Sequence, residues 1–101
     1  MKSLLLAAAL LAAMTAPAFA DASIVIKNFD FTPMDVTVKA GEAVVWKNAD
    51  GEPHTVTSVD GAFRSGAFDE GDSYRFVFAK PGTYKYLCSI HPRMVGTITV
   101  K

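Results

Sequence analysis

The chain has 101 residues, enough for one domain and no more. Ten basic residues balance ten acidic ones, with no basic stripe or block of like charge, which excludes nucleic acid and anionic membrane surfaces as partners. A single cysteine, Cys88, excludes an intrachain disulfide.

The chain opens on Met1-Lys2 and a continuous apolar run from Leu4 to Ala13, then reaches Ala18-Phe19-Ala20, a small-x-small cleavage site. That is the pattern of a secretory signal peptide, and the apolar run is too short to span a bilayer. The expectation is a leader over residues 1–20, export to the periplasm, and a single mature domain over 21–101 with no membrane anchor. Without Lys2, nine basic residues stand against ten acidic ones, a charge of −1. An exported domain this small has a thin core and benefits from a staple. The lone thiol is then an intermolecular link, a buried or reactive thiol, or a metal ligand.

After the leader, period-two alternation dominates. Ser23 to Phe29 reads as a strand. Met34, Val36 and Val38 alternate with Asp35, Thr37 and Lys39, and Ala43 to Lys47 carries Trp46 as a core anchor. His54 to Val59 follows. Tyr74, Phe76 and Phe78 alternate with Ser73 and Arg75; Tyr84 and Tyr86 flank Lys85; Ile98 and Val100 alternate with Thr97 and Thr99. β-Branched and aromatic residues at period two mark half-buried strands. Ala40-Gly41-Glu42, Asp50-Gly51-Glu52, Asp60-Gly61, Glu70-Gly71-Asp72 and Pro81-Gly82 supply the turns. Ala62 to Asp69 is the least regular segment, a loop or a short edge strand. No amphipathic helix is evident. The fold class is all-β, an antiparallel Greek-key sandwich of seven to eight strands, with Met34 as core filling.

The chemistry concentrates in Cys88-Ser89-Ile90-His91-Pro92-Arg93-Met94. A thiol, an imidazole and a thioether recur at three-residue spacing. Cys88 continues the face of Tyr84 and Tyr86, so its sulfur points inward at one end of the sandwich. Pro92 stiffens the loop. The other histidine, His54, starts a strand after a Gly-containing loop, and loops distant in sequence cluster at one end of a sandwich. Taken singly, a cysteine or methionine is ordinarily core filling and a histidine ordinarily a surface or hydrogen-bonded residue. Together they make a metal site. Two imidazoles, one thiolate and a weak axial thioether are the ligands of a blue-copper centre. Zinc takes the first three as readily, but its fourth position is usually Cys, His or water.

The residues that surround this set resemble the cupredoxins, and among them the amicyanin and plastocyanin-like group. Asn28-Phe29-Asp30-Phe31-Thr32-Pro33, Val36 to Glu42, Val44 to Asn48, Pro53-His54-Thr55-Val56 and Pro81 to Cys88 carry the similarity over nearly the whole mature chain. The resemblance implies one copper per chain, with His54, Cys88 and His91 equatorial and Met94 axial. It implies that Thr55 lends its backbone N–H to the Cys88 sulfur, and that Ser89 ties the two ligand loops together. Thr55 stands where many relatives have Asn. His91 is implied as the exposed ligand through which electrons enter and leave. Pro53, Pro92 and Arg93 form the partner patch around it, with Glu52 also at the rim.

The function expected is a small periplasmic electron carrier, a monomer and not an enzyme. Its partners are transient redox proteins of dehydrogenase, cytochrome or oxidase type, and brief encounters suit a small contact patch. The alternative is copper storage or delivery without electron transfer, against which stand the small number of methionines and the burial expected of the ligands. A thiol enzyme built on Cys88 and a histidine lacks a third orienting group at readable spacing.

Overall fold

The computed structural model describes residues 21–101; the leader expected over residues 1–20 lies outside the described residues. Eight strands are formed: β1 (Ala22–Lys27), β2 (Asp30–Thr32), β3 (Asp35–Val38), β4 (Ala43–Asn48), β5 (Thr57–Ser58), β6 (Ser73–Val77), β7 (Gly82–Leu87) and β8 (Val95–Val100). They make two four-stranded sheets, ordered β2-β1-β4-β6 and β3-β8-β7-β5. Alternation decides which side chains meet between them. Ile24 and Ile26 of β1 are buried while Val25 between them is exposed, and in β8 Gly96, Ile98 and Val100 turn inward while Val95 turns out.

The pairing differs from a purely antiparallel sandwich in two places. β1 runs parallel to β4, with Ile24 opposite Trp46, and β3 runs parallel to β8, with Val36 opposite Ile98. The remaining pairs are antiparallel. Period two is the same in both arrangements, so the sequence pattern carries the faces and not the strand direction.

Trp46 is fully buried at the centre of the core. Tyr86 meets its ring edge-on at 5.5 Å, and Tyr74, Phe63 and Phe78 lie at 5.6, 5.9 and 6.4 Å. Phe63 comes from the irregular segment. That segment is a loop held by isolated bridges, Thr57 to Arg64 and His54 to Phe68, and it delivers the Phe63 ring to the core. Burying each such side chain contributes roughly 1.5–3 kcal/mol. Two buried polar atoms in this cluster, Trp46 Nε1 and Tyr86 Oη, make no well-formed hydrogen bond.

Tyr86 also explains Gly96, its partner across β7 and β8. A Cβ on Gly96 would lie 2.3 Å from both Cζ and Oη of Tyr86, so the ring occupies the space a side chain would need. Met34 departs from the expected core role. It sits just before β3, at the end of the sheet where pairing with β8 starts at Asp35, and is 50% exposed.

Candidate metal centre

The strand expected over His54 to Val59 is ordered as β5 only at Thr57–Ser58. His54 is held instead by a reciprocal pair with Phe68: its amide donates to the Phe68 carbonyl at 3.2 Å and its carbonyl accepts from the Phe68 amide at 3.0 Å. The loop before it is pinned by Asn48, which is fully buried and fully paired. Asn48 Nδ2 donates to the carbonyls of Glu52 (2.8 Å) and Phe68 (3.0 Å), and Asn48 Oδ1 accepts from the Asp50 amide at 2.9 Å. Every side-chain polar atom of Asn48 is thus used, as burial requires.

The second loop follows β7 and closes on itself. The Cys88 amide donates to the Met94 carbonyl at 3.1 Å, and the Met94 amide to the His91 carbonyl at 2.9 Å. Cys88 is fully buried and Met94 is buried with it in the core cluster. His91 is half-buried, and Pro92 and Arg93 beside it are exposed, as are Glu52 and Pro53 on the facing loop.

The two loops meet at Cys88. Its sulfur lies 3.7 Å from Nδ1 of His54 and 3.8 Å from Nδ1 of His91. The three donor atoms all fall within 4.8 Å of one another. The Thr55 amide donates to the sulfur at 3.3 Å. Thr55 Oγ1 accepts from the Ser89 amide at 2.7 Å and shares hydrogen bonds with Ser89 Oγ (2.9 Å) and Thr57 Oγ1 (3.1 Å). The hydroxyl therefore bridges the two ligand loops.

Two residues at the centre were not apparent as site residues in the sequence. Asp50 is buried, and its Oδ2 lies 2.9 Å from Nε2 of His54, the ring nitrogen turned away from Cys88. A carboxylate can only accept, so Nε2 carries the proton and Nδ1 is left free as a donor to metal. Burial pushes the Asp50 carboxyl up, but hydrogen bonds from the Phe29 and Asn28 amides and from His54 outweigh it and leave the carboxyl below its ordinary value. Phe29 is the second. Its ring stands edge-on to both histidines, at 5.5 Å from His54 and 4.9 Å from His91. A spacing of four between Asp50 and His54 is the available signal for the first; Phe29 reads as the end of a strand, but β1 stops at Lys27.

A buried thiol with two imidazole Nδ1 atoms converging on it, and an amide aimed at its sulfur, is a donor set for a soft metal ion. A family model described as a cupredoxin-like domain matches residues 2–100. The chain is 36% identical to amicyanin-alpha of Methylorubrum extorquens over 107 residues, covering 96% of this chain and 85% of that one. It is 40% identical to a plastocyanin of Scenedesmus fuscus over 84 residues, covering 70% and 86%. Among solved structures, a purple cupredoxin from Nitrosopumilus maritimus superposes with a TM-score of 0.74 at 37% identity, over 80% of this chain and 100% of that one. Fold, donor chemistry and relatives agree on copper as the cofactor, and the chain belongs to the cupredoxin family.

Proposed function

We propose that this protein is a periplasmic electron carrier, a monomer whose mature domain spans residues 21–101. His54, Cys88, His91 and Met94 would hold its copper. The observation that carries this reading is the convergence of both Nδ1 atoms on one buried sulfur. Copper held there supplies one-electron exchange between Cu(I) and Cu(II). Each residue then has a separate task. Cys88 provides the thiolate, and the Thr55 amide orients it and moderates its charge. Thr55 and Ser89 keep the two loops in register. Met94 closes its loop through its backbone, and its buried side chain would supply a fourth donor.

His91 is the least buried of the three nitrogen and sulfur donors, and electrons enter and leave through its ring. Pro53, Pro92 and Arg93 are exposed around it and form the contact patch for transient redox proteins of dehydrogenase, cytochrome or oxidase type. Four protein ligands leave no open coordination position for substrate, which argues against an enzyme. Export is supported by the leader pattern of residues 1–20, and no helix among the described residues is long and apolar enough to cross a membrane.

The test is a visible spectrum of the mature protein titrated with Cu(II), then reduced and reoxidised. The expected result is an intense thiolate-to-copper band that saturates at one copper per chain, bleaches with reductant and returns with oxidant. Bound copper without that band would overturn the ligand set. A band with copper that a moderate chelator removes readily would favour storage or delivery.

A further inference from the structure

The Asp50 carboxylate serves two segments at once. Its Oδ1 accepts from the Asn28 amide at 2.7 Å, and its Oδ2 accepts from the Phe29 amide at 3.0 Å and from Nε2 of His54 at 2.9 Å. Asn28 and Phe29 form the turn between β1 and β2, and both have left-handed backbones, φ 53° and 59°. That conformation is uncommon for residues other than glycine and is unfavourable for a bulky one such as Phe. It turns two successive N–H groups toward one carboxylate. It also places the Phe29 ring, 45% exposed, against both histidines. Asp50 is itself buried and is anchored through its amide to Asn48.

We propose that Asp50 is a positioning residue that locks His54 and the Asn28–Phe29 turn into one unit, so that Phe29 becomes the aromatic contact between the copper centre and its redox partner. The inference rests on the electron-carrier reading and deepens it. The turn strain is offset by two charge-assisted bonds, and the same carboxylate fixes the ring plane and tautomer of His54. Its negative charge also favours the more highly charged Cu(II) state over Cu(I).

The test compares the copper-loaded wild type with Asp50→Asn and Phe29→Leu. An amide has one accepting oxygen, so whichever way Asn is turned, its NH2 faces at least one of the three N–H donors. Asp50→Asn is expected to weaken Cu(II) binding about tenfold or more in chelator competition. It should raise the reduction potential, and it should speed hydrogen exchange at the Asn28 and Phe29 amides about tenfold. Phe29→Leu keeps the backbone bonds. It should leave Cu(II) affinity and amide exchange unchanged while slowing electron self-exchange between the Cu(I) and Cu(II) forms about tenfold.

Unchanged affinity, potential and amide exchange in Asp50→Asn would overturn the positioning role. Wild-type self-exchange in Phe29→Leu would overturn the contact role. Should Asp50→Asn fail to fold, the unaltered protein still decides: slow exchange at both amides in an exposed turn supports the lock, and fast exchange overturns it. A wild type with no thiolate band would overturn the carrier reading instead, and the amide exchange data read the lock separately.

Discussion

Gly96→Ala adds one methyl group at the point where β8 passes beneath Tyr86. The new Cβ would lie 2.3 Å from Tyr86 Cζ and Oη and 2.7 Å from Cε1. The ring cannot yield, because Phe31 stands 4.7 Å from it on one side and Trp46 5.5 Å away on another. Nor can β8 move freely, since it is paired on both edges, to β3 and to β7. Overpacking of this kind costs about 1–3 kcal/mol. Replacing glycine in a strand returns roughly 0.5–1 kcal/mol of conformational entropy. The 2.3 Å approach to a confined ring puts the overpacking cost in the upper half of its range, about 2–3 kcal/mol, and the net loss at about 1–2 kcal/mol. With a urea slope of about 1 kcal/mol/M for a domain this small, the unfolding midpoint falls by about 1–2 M. The assay is equilibrium urea unfolding followed by Trp46 fluorescence, with the slope checked for constancy. The same substitution in a Tyr86→Leu background, which lacks Cζ and Oη, should cost less, and the difference isolates the contact. An unchanged midpoint in Gly96→Ala at unchanged slope would refute the reasoning.

Three further outcomes are expected. Tyr86→Phe removes a buried hydroxyl that makes no well-formed hydrogen bond, so at neutral pH it should leave stability unchanged or raise it in urea unfolding. Burial holds that phenol up to about 12 against an ordinary 10.0, so its ionisation leaves stability untouched below about pH 10 and erodes it as the pH rises toward 12; Tyr86→Phe should flatten the alkaline limb of the stability profile. Thr55→Val keeps the amide on the Cys88 sulfur but deprives the Ser89 amide of its acceptor; it should preserve the visible band and lower stability by about 1–2 kcal/mol in guanidinium unfolding. Met94→Leu should retain copper while shifting the reduction potential measured by voltammetry, because the axial thioether bond is weak.

Strand faces and the spacing of Cys88, His91 and Met94 were legible because both are local. Period two marks Ile24, Ile26, Ile98 and Val100 as inward without reference to any partner, and Cys88, His91 and Met94 lie within seven residues of one another. What was not legible depends on which segments meet. The direction of pairing between β1 and β4 leaves no trace in either strand. Phe29 reads as the end of a strand because aromatic residues favour strands; its left-handed turn is held by a carboxylate twenty-one residues away. Asp50 reads as turn chemistry beside Gly51, and only the fold shows that it faces His54. Met34 follows the alternation of β3, yet the ladder stops one residue short of it.

At the ligand-bearing end of the sandwich Cys88 and Met94 directly flank the paired strands β7 and β8, but the His54 side owes little to the sheets. His54 hangs on a single bridge to Phe68, and its surroundings are secured by Asn48, Asp50, Thr55 and Ser89, each bonded to protein groups. Asn48, Asp50 and Thr55 fall within eight residues around His54, and Ser89 lies in the other ligand loop. For protein design, grafting a Cys-x-x-His-x-x-Met loop and one histidine onto a foreign sandwich would transfer the donors without their moorings. The transplanted centre would have to draw its order from the metal itself, binding copper weakly and adjusting its geometry with each change of oxidation state.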